Sequence, residues 1–212
     1  MPVALKHNET NSVPIPKKKD FTYADYLRWP ENIHVEIIDG IAYMMAPPNT
    51  SHQRVSMELS RIIAQFLKGK TCKVFAAPFG VRLFPKKDKS DKTVVEPDIV
   101  VICDPSKIDE RGCNGAPDLI IEILSPSTRK KDKSLKLELY TKAKVREYWI
   151  VSPEDKDIEV YILDDSLLSS KSLNFVRLYG INEPDAIDNT KIPEIVPVSV
   201  LPGLEIDTNE IF

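Results

Sequence analysis

The chain has 212 residues, a hydrophobic fraction of 42% and a formal net charge of −3. This length suits one sizeable domain or at most two small ones, and the apolar fraction is enough to form a core. The mild acidity argues against a protein that coats nucleic acid through bulk positive charge, although it is compatible with a local basic groove. The sequence has no apolar signal core and no apolar run long enough to cross a membrane, so we expect a soluble protein without a membrane partner.

Three cysteines, Cys72, Cys103 and Cys113, are far apart in the sequence and form no Cys-x-x-Cys pair. Isolated thiols without a framework spacing are typical of proteins that stay in a reducing compartment. We therefore expect unpaired thiols and a cytoplasmic location.

The N-terminal residues 1–20 are polar and include two prolines and a Lys-Lys-Lys run, a composition that predicts a flexible tail. A basic arm that touches phosphates is the alternative. Residues 21–212 are expected to form a single domain. This domain begins with a short helix, because Thr22 and Asp25 have the spacing of a capping box and Pro30 ends the helix.

A hairpin is predicted around Asp39-Gly40, which separates two apolar runs and suits a turn with two positive φ angles. Glu36 alternates with Val35 and Ile37 in the first run. Its side chain either lies on a solvent-exposed face or faces inward as an acid of a functional site.

A helix is expected over residues 51–68, where apolar residues recur at helical spacing from Val55 to Phe66. Ser51 can cap this helix, and Gly69 suits the left-handed position after its end. His52 lies in the first turn, where a single histidine is more often a surface or capping residue than a ligand.

Two runs rich in Val and Ile, Thr93–Cys103 and Asp118–Leu124, are predicted to be strands buried on both faces. Each run contains a carboxylate, Asp98 in the first and Glu122 in the second. Acids are rarely buried unless they are paired or bind a ligand. If the strands pair, the two carboxylates can converge, and two acids at close range require a cation or a shared proton. Hard oxygen ligands of this kind suit Mg²⁺ or Mn²⁺ rather than zinc.

A basic helix is predicted to follow the second strand and to reach residue 142, with Ser127 or Thr128 as its cap. Five cations crowd its first turns: Arg129, Lys130, Lys131, Lys133 and Lys136. The helix dipole disfavours cations there, so the cluster indicates anion handling. Lys136 and Tyr140 are four residues apart and share one face.

These motifs together resemble the Uma-type restriction endonuclease family of the PD-(D/E)XK nuclease superfamily. The resemblance runs from about Phe21 to Pro153 and resumes at residues 202–204. It is carried by the stretches Val35–Gly40, Glu96–Val101, Asp118–Ser127, Lys136–Tyr140 and Glu147–Ile150.

The resemblance implies an α/β fold with a restriction-endonuclease-like mixed central β-sheet, flanked by the helices at 51–68 and 129–142. It implies that Asp98 and Glu122 bind a divalent metal together with the carbonyl of Ile123, and that Glu36 is the upstream acid. DNA is the implied substrate. A homodimer is expected because cleavage of a duplex requires two sites, although no sequence feature specifies an interface.

One position departs from the superfamily pattern, because Leu124 stands where the Glu-x-Lys motif would place lysine. A leucine can neither orient water nor carry charge. We expect Lys136 to supply the ammonium, with Lys133 or Lys131 as weaker candidates. The alternative is that Lys136 is an ordinary exposed lysine of the helix, without a role in catalysis.

The leading hypothesis is thus a metal-dependent DNA endonuclease with Glu36, Asp98, Glu122 and Lys136 as its catalytic residues. The second is a catalytically impaired nuclease fold that serves as a nucleic-acid-binding or assembly module, which Leu124 favours. A third, weaker hypothesis is a phosphodiesterase acting on RNA or small nucleotides, for which the sequence shows no aromatic stacking platform.

Overall fold

The computed structural model describes residues 20–30, 33–125, 132–163, 172–180 and 194–212. Residues 1–19 of the tail expected over residues 1–20, the caps Ser127 and Thr128, and the cations at positions 129–131 lie outside these ranges. No helix within the described ranges is long and apolar enough to cross a membrane.

The domain begins with the short helix α1, Tyr23–Tyr26. The backbone N–H and the hydroxyl of Thr22 both donate to Asp25 Oδ2 at 3.0 Å, and the predicted capping box is present. Strands β1, Val35–Ile38, and β2, Ile41–Met44, follow as an antiparallel hairpin. Asp39 and Gly40 have φ angles of 49° and 79°, as the two-residue turn requires.

The long helix α2 spans Thr50–Leu67. Its cap is Asn49 rather than the predicted Ser51, because the Asn49 side chain accepts from His52 N at 2.9 Å. Gly69 adopts the expected left-handed conformation, with φ 78°.

Within the described residues, six strands form the central sheet in the order β11-β10-β9-β8-β5-β3. Only β8 and β9 pair in parallel, so the sheet is mixed. The strands are β3 Lys73–Ala76, β5 Ile99–Ile102, β8 Leu119–Ile123, β9 Glu147–Ser152, β10 Asp157–Leu163 and β11 Leu173–Gly180. The two apolar runs pair with each other, in antiparallel orientation, and the expected mixed α/β architecture is confirmed.

Two apolar layers cover the sheet, one on each face. The first joins α2 to Ile99, Ile121 and Ile123, together with C-terminal residues from Val196 to Ile211. The second joins Val100, Ile120 and Leu124 to the helix α3, Leu137–Ala143, which continues from a π-helical turn at Asp132–Lys136. Because both faces of the sheet are covered, the sequences of its central strands are nearly continuous apolar runs.

Smaller sheets surround this core. Strands β4 Val81–Arg82, β6 Ile108–Asp109 and β7 Gly112–Asn114 form one of them. Strands β12 Ile195–Pro197 and β13 Glu205–Asp207 form another.

The run Thr93–Cys103 is not one continuous strand, contrary to the sequence-based expectation. Val94 and Val95 form isolated bridges to Ile37 and Val81, whereas β5 begins only at Ile99. Pro97 lies in the break, where its missing N–H removes no ladder bond.

A disulfide joins Cys72 to Cys103, so the expectation of three unpaired thiols is wrong. The pairing of Lys73 with Ile102 makes these cysteines cross-strand neighbours, which their separation in sequence does not reveal. The argument from isolated thiols for a reducing compartment therefore no longer applies. Cys113 is buried and outside any disulfide, and burial raises the pKa of its thiol to about 12.

A thiol titration tests this assignment. We expect the native protein to react slowly, because the buried Cys113 thiol stays protonated at neutral pH. Denaturant without reductant should expose one thiol, and denaturant after reduction should expose three, in agreement with one disulfide and one free cysteine. Cys113→Ser is the control and should show none before reduction; three thiols from the unreduced wild type would contradict the disulfide.

Candidate active site

A buried ammonium group lies between two buried carboxylates. Lys136 Nζ is 2.8 Å from Glu36 Oε1 and 2.7 Å from Glu122 Oε1. The side chains of Lys136, Glu36 and Glu122 are only 3%, 1% and 5% exposed. Burial strengthens the Coulomb attraction within each pair, but it also imposes a desolvation cost on all three charged groups, which only their mutual contacts offset.

Three separate elements bring these groups together. Glu36 comes from β1 and Glu122 from β8, while Lys136 ends the π-helical turn that precedes α3. Tyr140, one helical turn later, donates its hydroxyl to Glu122 Oε1 at 2.6 Å. The predicted shared face of Lys136 and Tyr140 is therefore confirmed, and that face covers Glu122.

Glu36 faces inward, which decides between the two orientations that the alternating sequence allowed. The backbone N–H of Glu96 donates to Glu36 Oε1 at 3.3 Å. Glu96 is itself buried, and its carboxylate accepts a 2.6 Å bond from the Tyr26 hydroxyl. The segment at 96–98 thus contacts the Glu36 side of the charged cluster.

Asp98 is held by a different set of contacts. Its Oδ2 accepts from the backbone N–H of Ile123 at 2.7 Å, and its Oδ1 lies 3.3 Å from His52 Nε2. The pairing of Ile99 with Ile121, continued by one residue, sets Asp98 opposite Glu122. The Asp98 side chain reaches towards α2, however, whereas Glu122 contacts Lys136 and Tyr140 on the α3 side.

The structure brings Glu36, Glu122 and Lys136 into direct contact and directs the Asp98 side chain away from them, towards α2. The backbone of Ile123 links Asp98 to the residue that follows Glu122. Across the described ranges, no group of three or more His, Cys, Asp or Glu side chains is placed to hold a metal ion. The metal site expected from the sequence has only two such side chains, Asp98 and Glu122, and takes its third ligand from the carbonyl oxygen of Ile123.

Comparison with known proteins decides the family. The family described as "Uma2: Putative restriction endonuclease" matches residues 23–185, which include Glu36, Asp98, Glu122 and Lys136. This chain belongs to the Uma2 family.

Two further proteins are similar to this chain over most of its length. An uncharacterized protein of Synechocystis sp. is 27% identical over 184 residues, which are 84% of this chain and 93% of that protein. A crystal structure from Anabaena variabilis, described as a "putative nuclease belonging to DUF820", has a TM-score of 0.65 and 23% identity. It covers 91% of this chain and 97% of its own, which shows that the two share a fold.

Leu124 of this Uma2 chain is 6% exposed and belongs to the apolar layer that also contains Leu139 and Tyr140. Residues 122 and 124 lie on the same face of β8, because side chains alternate along a strand. Lys136 approaches that face from the adjacent helix. The ammonium that the sequence motif lacks is therefore present beside Glu122, although it comes from another element.

Sequence reasoning underestimated two residues of this site. His52 is buried rather than superficial, being 8% exposed. Its spacing to Val55 and Leu59 places it on the apolar stripe of α2, and that pattern was the available signal. Glu96 was visible as part of a Glu-Pro-Asp motif, but its burial depends on the hydroxyl of the distant Tyr26 and could not be read from the sequence.

Replacement of Lys136 should destabilise the fold strongly. Lys136→Met removes the cation between two buried acids, and loss of one partner from a buried pair costs about 3–5 kcal/mol. Arg146→Ala is the matched control, since its pair with Asp118 involves a 60% exposed side chain and should contribute below about 1 kcal/mol. Urea unfolding followed by circular dichroism measures both; equal losses would show that Lys136 is not confined as described.

Proposed function

We propose that this chain is a metal-dependent DNA endonuclease that hydrolyses phosphodiester bonds. Its membership of a family described as restriction endonucleases supports a nuclease in general. The observation that carries the finer proposal is the position of Lys136, whose ammonium lies 2.7 Å from Glu122 Oε1. An acid and an ammonium beside it are the pair that the superfamily motif supplies from one strand.

The donor types suit a hard divalent cation, and binding of one ion by both carboxylates requires the Asp98 side chain to turn from His52 towards Glu122. The residues that would hold Mg²⁺ or Mn²⁺ are Asp98 and Glu122 through their carboxylates and Ile123 through its carbonyl. Oxygen donors of this kind are the ones that these ions prefer. The bond from Ile123 N to Asp98 Oδ2 ties the first carboxylate to the residue beside the second. A bound ion would supply charge stabilisation at the phosphate and a lowered pKa for a water molecule.

The surrounding residues then act by orientation and charge. Lys136 would position the attacking water and offset negative charge that develops at the phosphate. Tyr140 holds the Glu122 carboxylate through its hydroxyl, and the Glu96 N–H does the same for Glu36. Glu36 would assist by keeping the ammonium of Lys136 in place. DNA is the proposed substrate, and a homodimer is the proposed assembly for cutting both strands.

A second candidate function has one observation in its favour. Lys136 is 3% exposed and contacts two acids, an arrangement that also suits a structural ion pair. On this alternative the chain keeps the nuclease fold but serves as a nucleic-acid-binding or assembly module.

Plasmid cleavage tests the leading proposal. The wild type should nick supercoiled plasmid in Mg²⁺ or Mn²⁺, and a chelator should abolish the nicking. Asp98→Asn and Glu122→Gln should lower the rate by at least about 100-fold, since each removes one charge from the proposed metal site. Glu58→Gln is the matched control, because Glu58 pairs with Arg61, whose side chain is 50% exposed. Equal rates in all four proteins would overturn the proposal.

Titration calorimetry separates the two candidate functions. A nuclease of the proposed kind should bind Mn²⁺ without DNA, and Asp98→Asn should weaken this binding by at least about tenfold. Glu58→Gln should leave it unchanged. Heats that are indistinguishable from those of buffer for the wild type, in a protein that still binds duplex DNA, would favour the binding module.

A further inference from the structure

A cleft of about 410 Å³ opens beside Glu96. This volume lies in the range that small-molecule sites occupy, about 300–1,000 Å³. Its walls include three aromatic side chains, Tyr26, Trp29 and Phe79, and its polar groups include the carboxylate of Glu96. Its location differs from that of the Lys136 cluster, and its lining combines flat apolar surfaces with a fixed acceptor.

The Glu96 carboxylate is held in a fixed position in the wall of this cleft. Its side chain is only 6% exposed, Tyr26 donates to its Oε1 at 2.6 Å, and His34 Nδ1 lies 3.6 Å from its Oε2. Burial and the bond to Glu96 raise the pKa of Tyr26, so its hydroxyl stays protonated and remains a donor. A carboxylate has about four acceptor sites, and these contacts leave capacity for a further donor.

The aromatic walls are themselves supported by packing. The ring of Trp29 lies 5.2 Å from that of Phe21 and 6.0 Å from that of Tyr26. Phe79 stacks on Phe75 with a centroid distance of 4.3 Å. Trp29 and Phe79 are only partly buried, so part of each ring surface remains open to a ligand. These rings provide the stacking platform that the sequence did not reveal.

The cleft adjoins the candidate active site through one short segment. Glu96 N–H donates to Glu36 Oε1 at 3.3 Å, and Asp98, two residues later, reaches Ile123. Two residues span at most about 7 Å. A nucleotide whose phosphate lies at the acids would therefore have its base, or that of its neighbour, within reach of this cleft.

The charge of the cleft indicates which part of a nucleotide it would accept. Its lining contains three carboxylates, Glu96, Asp109 and Glu110, against the single guanidinium of Arg111 and the imidazole of His34. This excess of acid disfavours a phosphate. A neutral ring that stacks and donates hydrogen bonds is better suited, and cytosine N4 is the donor that Glu typically accepts from.

We propose that the Glu96 cleft binds a nucleobase of the substrate strand, by stacking on Trp29 and Phe79 and by donation from an exocyclic amine to Glu96. The inference rests on the proposed function in naming nucleic acid as the substrate. Cytosine and adenine should be favoured over thymine, which has no exocyclic amine. The base must be unpaired or turned out of the helix to enter, as in other sites that enclose a single base.

Tryptophan fluorescence tests the proposal with free deoxynucleosides. Trp29 lines the cleft whereas Trp149 is fully buried, so quenching reports on the cleft. Deoxycytidine and deoxyadenosine, titrated to about 10 mM to cover dissociation constants near 1 mM, should quench saturably and at least about fivefold more tightly than thymidine. Trp29→Phe should lose most of the signal.

The preference should depend on the acceptor. Glu96→Gln is close to isosteric and should abolish the advantage of deoxycytidine over thymidine, because an amide can donate as well as accept. Glu110→Gln at the exposed mouth is the matched control and should keep the advantage. No saturable quenching in the wild type, or equal affinities for the three nucleosides, would overturn the proposal. Stronger quenching by tetramethylammonium than by deoxycytidine would also overturn it and assign the cleft to a cation.

The proposal for the cleft and the proposal of nuclease activity can each be disproved without the other. Asp98→Asn should lose plasmid cleavage yet keep deoxycytidine binding, because Asp98 does not line the cleft. Cleavage by a wild type that binds no deoxynucleoside would end the cleft proposal alone. Deoxynucleoside binding by a protein that never cleaves DNA would end the nuclease proposal and leave the cleft as a nucleobase site.

Discussion

The buried ammonium of Lys136 is the constraint on which the site depends. Two acids from separate strands, Glu36 and Glu122, could not both be ionised in an apolar layer without a compensating charge. Lys136 contacts both of them within hydrogen-bonding distance. The hairpin, the central sheet and α3 must therefore pack together before any of these charged groups is stabilised, which couples the geometry of the site to completion of the fold.

This packing explains how an ammonium group can lie beside Glu122 although position 124, the lysine position of the superfamily motif, is leucine. Glu122 and Leu124 face the same side of β8, and α3 packs against that side. A helix side chain can therefore reach the space above Glu122 that a lysine two residues further along the strand would otherwise fill. Leu124 instead contributes to the apolar layer beneath the helix. The helix thus supplies the ammonium, and the residue that follows β8 supplies the hydrophobic contact.

The segment Glu96-Pro97-Asp98 connects two regions of different chemistry. It separates the isolated bridges of Val94 and Val95 from β5, and Pro97 suits that break because it needs no ladder partner. The break frees Glu96 from the sheet ladder, so its N–H can bond to Glu36 while its carboxylate lines the aromatic cleft. Asp98 immediately precedes β5, and its carboxylate accepts a hydrogen bond from the backbone N–H of Ile123. One irregular segment thus serves both the acid cluster and the neighbouring cleft.

The sequence by itself determined the parts of this protein that depend on local patterns. Continuous apolar runs specified the central strands, Asp39-Gly40 specified the hairpin, helical spacing specified α2 and the Lys136–Tyr140 face, and the motifs identified the family. Tertiary structure alone decided the inward orientation of Glu36, the contact of His52 with Asp98, the Cys72–Cys103 disulfide and the aromatic cleft at Glu96. Each of these depends on which distant elements become neighbours, because a contact between residues far apart in the chain leaves no periodic signal in either segment.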